Sequence, residues 1–276
     1  MAVQNDFSRG SISGNILRLA VPLMLAQLVN VLYNVVDRVF IGHIGSTMLP
    51  LTGVGLCMPV ITVISAFSGL FGMGGAPLCS IARGRRDREG AERIMANACF
   101  MLLLTGVLLT VLGIALHKPV LYLLGASDAT YPYAASYLVI YLLGTVCVMT
   151  SLGLNPYINC QGFARMGMLT VLVGAVANIV LDPIFIFALG MGVSGAAVAT
   201  VLSQLLSALW VLRFLTGPKA ELRLHFRAFR PDFGCIRRIA ALGTSSFVMS
   251  FTDSLVQMAC NATLRTFGGD IYISVM

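Results

Sequence analysis

Apolar runs of roughly 20 residues, each ended by a short polar or basic stretch, recur along the whole chain, the length at which an α-helix crosses a bilayer. They fall near residues 16–41, 49–75, 94–116, 132–155, 168–190, 194–215 and 238–264. A further apolar run starts at Ile271 and the chain ends at Met276, within an unfinished crossing, so truncation is expected. The segment opening IRRIAAL (236–242) echoes ILRLAVP (16–22), which reads as the start of a parallel duplication. The expected fold is an all-α polytopic membrane protein. It has a six-helix lobe over 1–215, a cytoplasmic basic linker over 216–236, and the incomplete start of a second lobe over 237–276.

Polar positions inside these runs carry the functional signal. In the first segment, Gln27, Asn30, Asn34 and Asp37 are spaced by three, four and three, a single helical face of a segment otherwise rich in Val, Leu and Ile. Lipid is a poor neighbour for such a face, so it is expected to wall a hydrated cavity, with Asp37 near the outer end. Pro22 in the same segment is expected to bend it. The fifth segment places Asn178 and Asp182 four residues apart, and Pro183 follows at once, removing a backbone donor and loosening the helix beside the carboxylate. An ionisable group at lipid depth is costly, which points to an ion or substrate site turned into the protein. Thr200, Ser203, Gln204 and Ser207 form a weaker stripe in the sixth segment. In the seventh, Ser246, Ser250, Asp253, Gln257, Asn261 and Arg265 repeat the theme, with Asp253 as a further cavity residue. Arg38 points about 100° away from Asp37 and is either an interfacial anchor or a partner for that acid.

Composition sharpens this picture. Of 276 residues, 58% are hydrophobic and 11% charged, and the mean hydropathy is +0.89. A soluble domain of this size cannot hide so much apolar surface. The net charge of +7 alone would admit nucleic acid, but all but three of the 18 Lys and Arg residues lie in the N-terminal region, in the 83–93 loop, at Arg165, or between Arg213 and Arg238. Such alternation places the N-terminus and the basic loops in the cytoplasm and excludes nucleic acid as the partner. Seven scattered cysteines without a C-x-x-C spacing read as small hydrophobes, and three distant histidines form no metal set.

The remaining features have structural explanations. The Gly, Ser and Ala of the second segment allow helices to approach closely. RGRRDREGAER reads as a solvated loop. Tyr133, Tyr137 and Tyr141 recur every four residues, the outermost as an interfacial residue and Tyr137 and Tyr141 deep enough to bond a neighbour. The fourth segment is expected to break at Pro156. Trp210 reads as an interfacial anchor, and the linker, which alternates Arg223, Arg227 and Arg230 with Phe226, Phe229 and Phe233, as an amphipathic interfacial segment.

ILRLAVPLMLAQLVNVLYNVVDRVFIGHIG, ARGRRDREGA, LNPYINCQGFARMG and above all NIVLDPIFIFALGMGVSGAAVATVLSQ resemble the multidrug and toxic compound extrusion (MATE) transporters of bacteria, from about residue 12 to the end. The resemblance implies twelve helices in two six-helix lobes and a multi-pass protein of the bacterial cytoplasmic membrane, acting as a monomer. It implies antiport of an organic cation or amphipathic compound against H⁺ or Na⁺, with no other cofactor and no enzymatic step. It also implies a cation site at Asp37, Asn178, Asp182 and Thr200, able to hold Na⁺, with Tyr137 nearby. Physical reasoning agrees, because two carboxylates sharing a low-dielectric cavity are eased by a proton or a sodium ion. A flippase for lipid-linked precursors is the alternative transporter and would call for a more cationic cavity. An intramembrane aspartyl protease would use two buried Asp, but its G-x-G-D is missing and the nearest string, FGGD, ends at Asp270 near a helix edge. A seven-helix receptor fits neither the six-helix repeat nor the cytoplasmic N-terminus.

Overall fold

The structure, a computed structural model, describes residues 12–44, 48–225 and 231–274, with side chains as far as residue 263. Among the described residues every regular element is a helix, in the order α1 (Ile12–Gly42), α2 (Leu49–Gly84), α3 (Arg88–Leu123), α4 (Tyr131–Leu143), α5 (Thr145–Cys160), α6 (Ala164–Pro183), α7 (Val193–Thr216) and α8 (Phe233–Ser274). Six are long and apolar enough to cross a membrane, and α4 with α5, bent by 58° between them, together meet the same test as a seventh span. Wide apolar faces stay exposed, with Leu28, Val31, Val35, Leu108, Val111 and Val176 among them, as expected where lipid is the solvent.

α2 is the spine of the bundle. It packs on α3, α4 and α5, and its largest interface is with α8. Small residues make this possible. A Cβ on Gly74 would strike the backbone carbonyl of Ile239, and one on Gly243 the carbonyl of Leu70. A Cβ on Gly72 would lie 2.7 Å from the carbonyl oxygen of Gly153 in α5. Without a hydrophobic force between helices in lipid, such backbone contact lets dispersion attraction hold them together. Ser254 of α8 adds a hydrogen bond to the carbonyl of Pro59, 2.9 Å, and Phe67 meets Phe247 edge to face at 4.9 Å.

Several boundaries differ from those expected. The 83–93 loop shrinks to a three-residue turn between α2 and α3. Arg86 takes a positive φ of 59° there, and Asp87 caps α3 by accepting from the Gly90 amide at 2.9 Å. The fourth crossing does not break at Pro156, which lies inside α5. It bends at Gly144, whose amide is shared between the carbonyls of Ile140 and Tyr141 at 3.4 and 3.0 Å. A side chain at Gly144 would run into Val201 of α7, 2.5 Å from its Cγ2, so the bend sits where α7 crosses. α1 continues through the buried Pro22 as one helix. α8 runs on to Ser274 with no break before Ile271, and no proline interrupts it.

The linker is folded onto the lobe. Ala220, Leu222 and Leu224 are buried. The Leu222 amide donates to Gln161 Oε1 at 2.9 Å, the Arg223 amide to Glu92 Oε1 at 3.0 Å, and Arg83 pairs with Glu221 at 2.9 Å. Its central residues, including Phe226, Arg227, Phe229 and Arg230, lie outside the described residues, as do the side chains of Arg265 and Asp270.

Replacing Gly74 or Gly243 by Val should overpack the α2–α8 contact at a cost of roughly 1–3 kcal/mol and lower the melting temperature in detergent by several degrees. Gly84→Val, with nothing within 4 Å of its added Cβ, should leave it unchanged. Equal melting temperatures for all three variants would rule out this close crossing.

Candidate functional site

Asp37 and Asp182 are the only acidic residues buried among the described residues, at 8% and 0% exposure. They arrive from different directions. α1 packs chiefly along α6, and Asp37 is the member of its polar face that turns inward. Asp182 occupies the last turn of α6. Their carboxyl groups face each other within hydrogen-bonding reach.

Pro183 shapes the end of α6. After it the chain widens into a π-helical turn over Ile184–Ala188, in which the Leu189 amide reaches back five residues to Ile184 at 2.9 Å. Gly190 and Gly192 then take positive φ values of 65° and 57°, a conformation glycine adopts without strain. The reversal is tight: a Cβ on Gly195 would lie 2.6 Å from the Phe185 carbonyl oxygen. This sets α7 directly against the C-terminal end of α6.

Asn178, 1% exposed, donates from Nδ2 to Asp182 Oδ1 at 3.1 Å. Asp37 Oδ1, Asn178 Oδ1 and Asp182 Oδ2 are all buried and have no hydrogen-bond partner. Three orphaned acceptors at one spot are unusual, because buried polar atoms are normally satisfied. Thr200 is half-buried on α7. Its hydroxyl donates to Ala196 O at 2.9 Å, and Tyr137 lies beside it. Tyr137 is buried and stacks on Tyr141 with ring centroids 6.2 Å apart. The fold thus brings Asp37, Asn178 and Asp182 together, with Tyr137 and Thr200 near Asp37.

Other expected residues fall elsewhere. Asn34 is exposed and turns its amide to the Asn30 carbonyl at 2.6 Å. Gln27 and Asn30 line a separate cavity of about 600 Å³ between α1, α2, α5, α6 and α7. The expected stripe therefore splits: Asp37 enters the core, Gln27 and Asn30 face a cavity, and Asn34 looks outward. Asp253 is exposed on α8, which packs on α2 and α3. Arg38 is exposed, with its charge felt at Asp37.

The residue that sequence reasoning passed over is Tyr33. It lines the 600 Å³ cavity and lies within the electrostatic reach of Asp37 and Asp182. It therefore stands between the cavity and the acid pair. Its place, three residues after Asn30 and four before Asp37, was the available signal. The cavity also gathers Ser151, whose hydroxyl donates to Gln204 at 2.6 Å, and Asn155 and Asn159, whose side-chain oxygens are buried without partners. Among the described residues no three His, Cys, Asp or Glu side chains form a metal cluster.

Comparison with known proteins gives this arrangement a lineage. The MatE family profile matches residues 22–184. The chain is 26% identical over 262 residues to the multidrug export protein MepA of Staphylococcus haemolyticus, covering 95% of this chain and 58% of that protein. Among solved structures it resembles the MATE multidrug transporter DinF-BH, with a TM-score of 0.93 and 33% identity, over 99% of this chain and 61% of that one. A MOP superfamily transporter from Pyrococcus furiosus matches with a TM-score of 0.86 at 29% identity, over 97% of this chain and 59% of its own. The chain thus spans about three fifths of the length of these relatives. The buried acid pair, the proline-widened turn beside it and the family match over most of the lobe lead to one conclusion: this chain belongs to the MATE family.

Proposed function

We propose that the chain forms the ion-coupling part of a multidrug exporter that trades an organic cation or amphipathic compound for H⁺ or Na⁺. The observation that carries this reading is the set of three unpartnered oxygens around two facing carboxyl groups. Two bare carboxylates in a low-dielectric interior repel each other and lose hydration, and a single small cation relieves both costs. Asp37, Asp182 and Asn178 supply hard oxygen donors suited to Na⁺, and either carboxyl accepts a proton. Thr200, with its hydroxyl already engaged, completes the site once that hydroxyl turns.

The mechanism follows from what each occupant does to the packing of α1 on α6. An empty, charged pair favours separation of the two helices or hydration from the neighbouring cavity. A neutralised pair favours contact. A difference of that kind biases an equilibrium between two arrangements, which is what alternating access requires. The 600 Å³ cavity is of a size to hold a drug-like molecule. Its wall is shared with the acid pair through Tyr33, so guest and ion would sense one another. The proposed orientation puts the N-terminus, the α2–α3 turn and the linker in the cytoplasm, following the basic residues. The names of the relatives, multidrug export protein and multidrug transporter, support export of drug-like compounds.

In cells expressing this sequence within an intact transporter, Asp37→Asn and Asp182→Asn should each cut dye efflux by roughly tenfold or more, a common size for coupling between two sites. Normal efflux in both variants would dismiss the acid pair. In the purified chain, the same changes should abolish any rise in melting temperature on adding Na⁺ or lowering pH. Topology is checked separately. Tags at the N-terminus and in the linker should be reached only after the cells are opened, and a tag inserted at 125–129 should be reached in intact cells. The reverse pattern would invert the proposed orientation.

A further inference from the structure

A second, unrelated site lies at the far end of α7 from Thr200. Met166 of α6, Trp210, Arg213, Phe214 and, beyond the helix end, Pro218 and Lys219 enclose about 470 Å³. Phe214 is buried and rests edge to face on Phe163 at 5.2 Å, which gives the pocket a firm apolar floor. Arg213 and Lys219 are exposed at its rim, and among the described residues neither has an ion-pair partner. The indole Nε1 of Trp210 is buried and has no acceptor. Leu209 and Leu206, one and two turns before Arg213 on α7, are exposed apolar side chains. The pocket thus joins two cations and an indole ring to an apolar track running along α7.

We propose that this pocket binds the phosphate of an anionic phospholipid in the cytoplasmic leaflet. The phosphate lies between Arg213 and Lys219 beside the Trp210 ring, and an acyl chain lies along Leu209 and Leu206. A soluble anion would use the charges but not the apolar track, and a zwitterionic lipid would bring its own cation to the rim. Assignment to the cytoplasmic leaflet rests on the orientation proposed above; recognition of the headgroup does not.

Trp210 is the sole tryptophan of the chain, so its fluorescence reports this pocket alone. The full 276-residue chain is placed in symmetric vesicles of phosphatidylcholine containing brominated phosphatidylglycerol or, in parallel, brominated phosphatidylcholine. Symmetric vesicles keep the result independent of orientation, so a failure here is distinct from a failure of the tagging experiment. Quenching should show a preference for the anionic lipid of about fivefold or more, the scale expected for one or two basic residues near a membrane surface. Arg213→Gln with Lys219→Gln should reduce it to near parity, and Arg213→Lys should retain most of it. Arg85→Gln with Arg86→Gln, in the α2–α3 turn, should not change it. Equal quenching by the two lipids, or a preference that survives Arg213→Gln with Lys219→Gln, would overturn the proposal. So would a preference lost equally in the Arg85/Arg86 variant, which would indicate diffuse surface charge. Relief of quenching by free glycerol phosphate at millimolar concentration would assign the pocket to a soluble anion and overturn it as well.

Discussion

Two carboxyl groups held face to face at lipid depth are the constraint around which this lobe is arranged. Neither is stable there alone, and among the described residues no basic side chain is buried to neutralise either one. Only a small cation, a proton or water from an adjoining space can make the pairing tolerable. One of the two elements that create the pairing, α1, is the least embedded of the long helices. α1 rests mainly on α6 and leaves most of its apolar surface outward. The firmly packed part of the lobe, α2 with α3, α4 and α5, lies to one side. The acid pair thus joins the loosely attached α1 to α6, which is itself held by α7 and α5, the place where a change of charge has most mechanical effect.

The crossings and the acid pair were legible in the sequence because both depend on strong, local energies. Twenty apolar residues in a row have few alternatives to a spanning helix, and a carboxylate at lipid depth has few alternatives to an interior position. Asn178 and Asp182, a turn apart, could be placed on one face by spacing alone. What escaped was decided by neighbours far away in sequence. The bend in the fourth crossing belongs to Gly144 because Val201 of α7 needs the space, and nothing local to Pro156 could reveal that. Asn34 carries the same helical spacing as Asp37 but looks outward, because one helical face is broader than the strip that α6 covers. The linker looked like a surface segment, yet Gln161, Glu92 and Asn97 present side-chain acceptors to its amides and fold its described ends down.

Glycine plays opposite parts in two regions. Along α2 and α8, Gly74 and Gly243 remove side chains so that two backbones can meet, which makes for rigidity. Between α6 and α7, Gly190 and Gly192 permit a left-handed reversal, which places Thr200 and the acid pair in one neighbourhood. The same residue type thus fixes one side of the lobe and shapes the site on the other.

The π-helical turn after Pro183 contains one more residue than an α-helical turn would need. A surplus residue of this kind is not bound to one location: passing it along the helix re-phases every position it crosses by about 100°. Asp182 lies next to that surplus. The widened turn therefore sets the phase of the chain that leaves for α7 relative to the face of α6 that carries the acid.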